Sequence, residues 1–393
     1  MSTRGAIARL TGVTPPRFRG RYHHWDSYPT GLGHTLWTLY HGHFGRDLRA
    51  LLHVLLDEHP AGWSTLNGAD FSLRPGFTEL ANRGTEEEDK ARGIAPECYC
   101  HGDRAEEAWE VTQANAAGSG CEWAYAFAPG HDPQHDVMLI LSSYRPSGQK
   151  MIGFFGQGDP DSIWATVGVV ALSGAEPDWE QFEQAQPLDP LASAENRPEC
   201  VVGKLLISPD EGRPGIYAVR APQGPLHYAS VEIEGDGSEQ FYCTCSPEEE
   251  APSPNSEHAY ALRSYLEEKR QRTRERRGRG LQYSGCRLDQ ETGGNPVVFV
   301  WEGGVPSILL AHQSQRLFNH SPAGFEWGYE GSGPAQLALA ILLDHSGDES
   351  KTLKHHQAFK REVIAKLTRD DNGWSLSSEV IDLFWKSHVL ASA

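Results

Sequence analysis

Turn-forming residues, 41 Gly and 25 Pro, are dispersed from end to end of this 393-residue chain and divide it into many short elements. Short strands and helices alternating with turns predict a loop-rich α+β fold. At roughly 150 residues per domain the length predicts two or three domains, large enough to bury cores without disulfide support. Hydrophobic residues make up 38% of the chain, with 11 Trp, 13 Tyr and 14 Phe, which excludes a disordered acidic polymer. The seven cysteines form no regularly spaced, even-numbered framework. Free or metal-bound thiols in a reducing cytoplasm are the expectation. The opening MSTRGAIARL lacks a basic segment followed by an apolar run, and no later stretch reaches the 18 or so apolar residues of a membrane span. Neither a signal peptide nor a membrane segment is expected.

Charge is unevenly distributed. Acidic residues outnumber basic ones 53 to 35 for a net charge of −18, which argues against a surface that coats nucleic acid as a whole. Yet Lys269–Arg279, KRQRTRERRGR, carries seven cations against one anion. Such a segment seeks an anionic partner or an acidic face of its own chain, or simply forms a solvated helix face.

Three domains are expected: an N-terminal α+β domain (1–186), a middle β-meander with a basic helix (187–279) and a C-terminal α+β domain (280–393). In the first, TRGAIARLTG and FRGRYHHWDSY read as two strands around Pro15–Pro16. Leu36, Leu39, Tyr40, Phe44, Leu48, Leu51, Leu52 and Leu55 then recur at helical spacing, with interruption expected at Gly42 or Gly45. CEWAYAFAP and DVMLILSSY give two more strands, and SIWATVGVVALSG a buried helix or strand. An acidic linker, about Glu176–Pro198, leads to four short β-rich runs and then to a helix capped by Ser256, with Ala259, Leu262, Tyr265 and Leu266 as its apolar stripe. The last segment predicts strands around YSGCRLD, NPVVFVWEGG and SILLAHQ, then three helices. No repeat and no transmembrane pattern interrupts this organisation, so the fold class is a multidomain α+β chain with mixed sheets and packed helices.

Cys243-Thr244-Cys245 at the end of the meander, a ten-residue loop and Ser256-Glu257-His258 at the helix start supply two thiols and an imidazole, all zinc-compatible ligand types. Over about Val201–Tyr265 the segment resembles a SWIM-type zinc finger, whose pattern is Cys-x-Cys, a loop, then Cys-x-His. The resemblance implies zinc held by Cys243, Cys245 and His258, with Ser256 where the family has its third Cys. Such a site could keep zinc with water, recruit Glu257 or a remote residue, or have lost the metal. It also implies a module that binds nucleic acid or protein. Arg263, Lys269, Arg270, Arg272, Arg274, Arg276, Arg277 and Arg279 would then meet phosphates.

NHSPAGFEWGYEGSGPAQLALAILLD and the helices after it resemble a small domain of unknown function found in bacterial and phage or mobile-element proteins. Physically, Ser332 or Gly333 can cap a helix whose first position is Pro334. The amides around Ser332, Gly333 and Ala335 either bind an anion at the helix N-terminus or simply lead into a buried helix.

For catalysis the N-terminal domain offers His24 and Asp26, on one face if their strand is continuous, as a general base or metal pair or as a turn-fixing hydrogen bond. Ser2, exposed by removal of Met1, offers an N-terminal nucleophile. This opening is also similar to those of uncharacterised phage and plasmid proteins. Cys98, Cys100 and His101, with Cys121, form a further possible zinc set or a loop with one buried thiol. Cys200 and Cys286 read as core or incidental residues. No GxxxxGK[ST], strand-linked GxGxxG, GxSxG or HExxH occurs. The function expected is a cytoplasmic accessory protein of a mobile element or phage that binds nucleic acid or a protein partner; the alternative is a hydrolase centred near Ser2, His24 and Asp26.

Overall fold

A computed structural model of the chain describes residues 3–79, 85, 88, 93–144, 163–185, 200–202, 205–209, 216–220, 226–233, 239–243, 257–288, 294–369 and 373–389. It shows a multidomain α+β fold with three sheets. Ser2, Cys245 and Ser256 lie outside the described residues.

The first sheet comprises β1 (Arg4–Val13), β2 (Pro16–His23), β3 (Trp63–Thr65), β4 (Glu97–Cys98), β5 (Val111–Thr112), β6 (Cys121–Ala128), β7 (Val137–Tyr144) and β8 (Ile163–Ala171). Its order is β4-β3-β2-β1-β6-β7-β8, with β5 on β2. β1 and β2 form an antiparallel hairpin, β1 lies parallel to β6, and β6–β8 form a meander. Alternation sorts the two faces. Ile7, Trp123, Tyr125, Phe127, Met138 and Ile140 pack beneath the helices, whereas Ala6, Ala8, Ala124, Ala126, Leu139 and Leu141 point the other way. The helical layer is α1 (His34–His41) and α2 (Leu48–Leu52), flanked by wide π-type turns at Pro29–Gly33 and His53–Glu58. The expected interruption falls between these helices, where Gly45 and Arg46 adopt φ of 55° and 68° and the Asp47 carboxylate caps α2 by accepting from the Ala50 amide. α3 (Trp179–Gln184) closes this domain.

The middle module is a simple antiparallel meander of β9 (Cys200–Val202), β10 (Leu205–Pro209), β11 (Ile216–Arg220), β12 (His227–Ile233) and β13 (Glu239–Cys243). One run read as a single strand is thus two. α4 (Glu257–Gly278) lies across it, burying Ala259, Ala261, Leu262 and Leu266 against Ile207, Tyr217, Val219, Ala229 and Phe241.

The third sheet, β14 (Gln282–Leu288), β15 (Asn295–Glu302), β16 (Val305–Ile308) and β17 (Trp374–Ser377), has the order β16-β15-β14-β17. With it come α5 (Ala311–Gln315), α6 (Ser332–Ser346), α7 (Glu349–Glu362) and α8 (Ser378–Val389). Tyr283, Val298 and Val300 face these helices. On the opposite face Cys286, Val297, Phe299 and Trp301 join the same core as Ala6, Ala8, Ala124, Ala126 and Leu139. Helices, first sheet, third sheet and helices therefore stack in four layers, and small alanines on the inner face let the two sheets approach. The middle module is inserted between two regions that share a core. No helix among the described residues is long and apolar enough to cross a membrane.

Candidate metal centre

The edge of the first sheet gathers four metal-ligating side chains from two distant loops. β3 and β4 pair antiparallel, with Trp63 opposite Cys98, and the Tyr99 amide donates to the Gly62 carbonyl. Gly62 turns the chain between His59 and Trp63 at a φ of 85°; a Cβ there would lie 2.6 Å from the Tyr22 carbonyl oxygen, so only glycine fits. The Phe77 amide donates to the His101 carbonyl and fixes the other loop. Together these constraints bring one donor atom from each of His59, Cys98, Cys100 and His101 within 4.8 Å of one another. Cys98 Sγ lies 3.3 Å from His101 Nδ1, and Cys100 Sγ lies 3.5 Å from His59 Nδ1. These four residues could hold a metal ion.

Burial tunes the donors. Cys98 and His59 are buried, Cys100 is half-buried and His101 is exposed. Burial pushes the Cys98 thiol up to about 12, helped by the neighbouring Cys100 sulfur. Burial likewise pushes His59 down to about 4, and the His101 ring beside it adds to the effect. The Cys98 thiol held neutral and the His59 imidazole held unprotonated add no fixed positive charge, an arrangement that a cation converts to ligation with release of a proton.

The expected ligand set is corrected in one member. Cys121 is buried and its thiol donates to the Gly5 carbonyl, 3.4 Å away, whereas His59, 39 residues before Cys98, takes the fourth place. Cys121 was the available residue of the right type; His59 is brought in by the parallel register of β2 and β3, which no local pattern announces.

Other sequence-derived residues are placed as follows. β2 ends at His23, so His24 and Asp26 lie beyond the strand, and Asp26 adopts a φ of 52°. The expected shared strand face for His24 and Asp26 therefore does not exist: the His24 ring meets the Tyr22 hydroxyl, and the Asp26 carbonyl accepts from Leu32. Cys243 is buried and disulfide-bonded, and the half-buried His258 ring stacks on His227 at 4.4 Å. Of the helix cations, Arg270 pairs with Glu239, Arg276 with Glu302 and Asp344, Arg277 with Asp382, Arg279 with Glu302 and Lys269 with Glu349. Arg272 pairs with Glu268 within the helix, Arg263 lies over the Phe241 ring, and Arg274 is exposed. At α6 the N-cap is Gly331, one residue earlier than expected, so Ser332 and Gly333 lie inside the first turn. Gly333 packs against Glu326, while the buried Ala335 donates its amide to the Gly331 carbonyl and keeps none for an external anion.

Comparison with known proteins reaches only the C-terminal region. No curated protein and no solved structure matches the chain. A family of unknown function (DUF6166) has a model that matches residues 283–387, the third sheet and its helices, so this region is similar to that family as its Gly-Ser-Gly-Pro segment led one to expect.

Proposed function

We propose that the chain is a zinc-bearing binding protein whose zinc centre is structural. The observation that carries this reading is the convergence of His59, Cys98, Cys100 and His101. Tetrahedral zinc with bonds of about 2.3 Å to sulfur and about 2.0 Å to nitrogen has S···N edges of roughly 3.5 Å, which the 3.3 and 3.5 Å separations here match. Four protein ligands fill the coordination sphere and leave no position for substrate, so the ion clamps two loops. Elemental analysis of the purified chain tests this: a zinc equivalent lost in Cys98→Ser and kept in Cys121→Ser is expected. Zinc content that is negligible in the parent, or that falls equally in both variants, sinks the proposal.

The partner surface is proposed to be the middle module with the outward side of α4. The pairing of Lys269, Arg270, Arg276 and Arg277 with carboxylates favours a protein partner over nucleic acid, because only Arg263, Arg272, Arg274 and Arg279 among these described cations are exposed. If nucleic acid binds here, four phosphate contacts limit the salt dependence to a slope of about −3.6 in log K against log salt. A much steeper slope would show that the inward pairs open and would restore the nucleic-acid reading. A SWIM-like site at Cys243, Cys245 and His258 would require reduction of the Cys243 disulfide, because a disulfide sulfur offers zinc no thiolate.

A further inference from the structure

The loop joining β6 and β7 carries a second cluster, separate from the first in position and with a carboxylate in place of sulfur beside its two imidazoles. His131, Asp132 and His135 each bring a donor atom within 4.8 Å of the other two. Asp132 Oδ2 lies 2.8 Å from His131 Nε2, and its Oδ1 lies 2.9 Å from His135 Nδ1. The two rings are tilted at 41° with their centroids 4.3 Å apart. One carboxylate thus faces two imidazoles.

Three features set this apart from a chance surface triad. The His131 Nδ1 atom is buried and has no hydrogen-bond partner among the described residues, an arrangement that a folded protein seldom leaves uncompensated. The loop is rigidly held. Asp132 Oδ1 also accepts from the Gln134 amide, the Ser173 hydroxyl donates to the Gln134 carbonyl, and the Leu172 amide donates to the Asp136 carbonyl. Gly130 passes so close to His135 that a Cβ would meet its carbonyl at 2.5 Å. The cluster also sits at the seam between the two stacked sheets, where the buried His135 ring meets the edge of Trp301 from β15, with centroids 5.1 Å apart.

We propose that His131, Asp132 and His135 form a second divalent-metal site, of the two-imidazole, one-carboxylate type. Two nitrogens and a carboxylate suit a first-row divalent ion, and three protein ligands leave coordination positions open to water or to a small oxygen-donor ligand. Unlike the four-ligand centre, such a site can do chemistry on what it binds. The two sites also differ in softness, because no sulfur is present here.

Cobalt(II) titration of the full-length chain, stripped of metal beforehand, tests the assignment. Binding at His59, Cys98, Cys100 and His101 produces sulfur-to-cobalt charge-transfer absorption, and binding at His131, Asp132 and His135 does not. The expectation is one equivalent with that absorption and one without it. In His131→Ala the second equivalent should bind at least about tenfold more weakly, while the charge-transfer equivalent is unchanged. Asp132→Asn, which keeps the turn-capping side chain, should show the same loss, and near-ultraviolet circular dichroism establishes that both variants are folded. A parent chain that binds only the charge-transfer equivalent overturns the proposal, as does a sulfur-free equivalent indifferent to both substitutions. Absence of charge transfer with a sulfur-free equivalent that His131→Ala abolishes would sink the zinc centre and leave this site standing.

Discussion

His23 shows how a single side chain can be fixed by its surroundings. It is fully buried, and burial, with the charge of His24 as a lesser cause, pushes its pKa down to about 3. The ring Nε2 accepts from the Leu66 amide at 3.3 Å, so Nδ1 carries the proton and donates to Ser27 Oγ at 2.7 Å. The Ser27 hydroxyl in turn donates to the His23 carbonyl at 3.3 Å. Protonating the ring would set a second N–H against the Leu66 N–H. Because the unfolded chain takes up this proton near pH 6.5, the contribution of His23 is complete above that value and is lost as the pH falls from about 6.5 toward 3. The expected slope is up to about 1.4 kcal/mol per pH unit, read by denaturant unfolding across the window. His23→Ala strands the Leu66 amide in the core and leaves Ser27 only its bond to the residue 23 carbonyl, and should cost about 2–4 kcal/mol at neutral pH. It should also flatten the acid dependence; a profile as steep as the parent's would show that other groups govern it. The metal cluster is a residue-scale lesson of another kind. Cys98, Cys100 and His101 were legible because they are adjacent in sequence, but His59 depends on a strand pairing whose partner choice is a long-range matter.

Elements with strong local signals appear where the sequence places them. α4 is the clearest, since Ala259, Leu262 and Leu266 form a stripe that only a helix can bury on one side. Its electrostatic role was open in the sequence, because a basic helix reads alike whether its carboxylate partners come from another molecule or from residues 23 to 105 positions away. Arg276 resolves that choice: Nε contacts Glu302 and Nη1 contacts Asp344, each at 3.0 Å, and Asp344 also accepts from the Tyr283 hydroxyl at 2.8 Å. The helix that folds onto the middle sheet is thereby fastened to the third sheet and α6. Arg276→Gln should cost about 1–3 kcal/mol, since the carboxylates it leaves are partly buried and only one retains the tyrosine donor. Adding Asp344→Asn should cost less than the sum of the single changes. Strictly additive thermal unfolding data would mean that the pair is a surface contact and that the helix is held by its apolar stripe alone.

At the scale of the whole molecule the four-layer stack follows from alternation on two strands that sequence reading could identify but not pair. β15 directs Val297, Phe299 and Trp301 to one side and Val298 and Val300 to the other, so both of its faces are apolar. A strand apolar on both faces must be covered on both, yet the region that matches a family of unknown function supplies helices for one face only. The other cover is the alanine-lined face of β1, β6 and β7, contributed by the opposite end of the chain. Residues 280–393 produced alone should therefore expose Cys286, Val297, Phe299 and Trp301 as a contiguous patch and aggregate or bind an apolar dye strongly. Supplying residues 1–186 in trans should restore a soluble complex with cooperative unfolding, because the missing interaction is between surfaces and does not need the middle module. If the C-terminal fragment alone is monomeric and unfolds cooperatively, the two sheets are separate folding units in contact, and the shared core is an interface rather than a condition of folding.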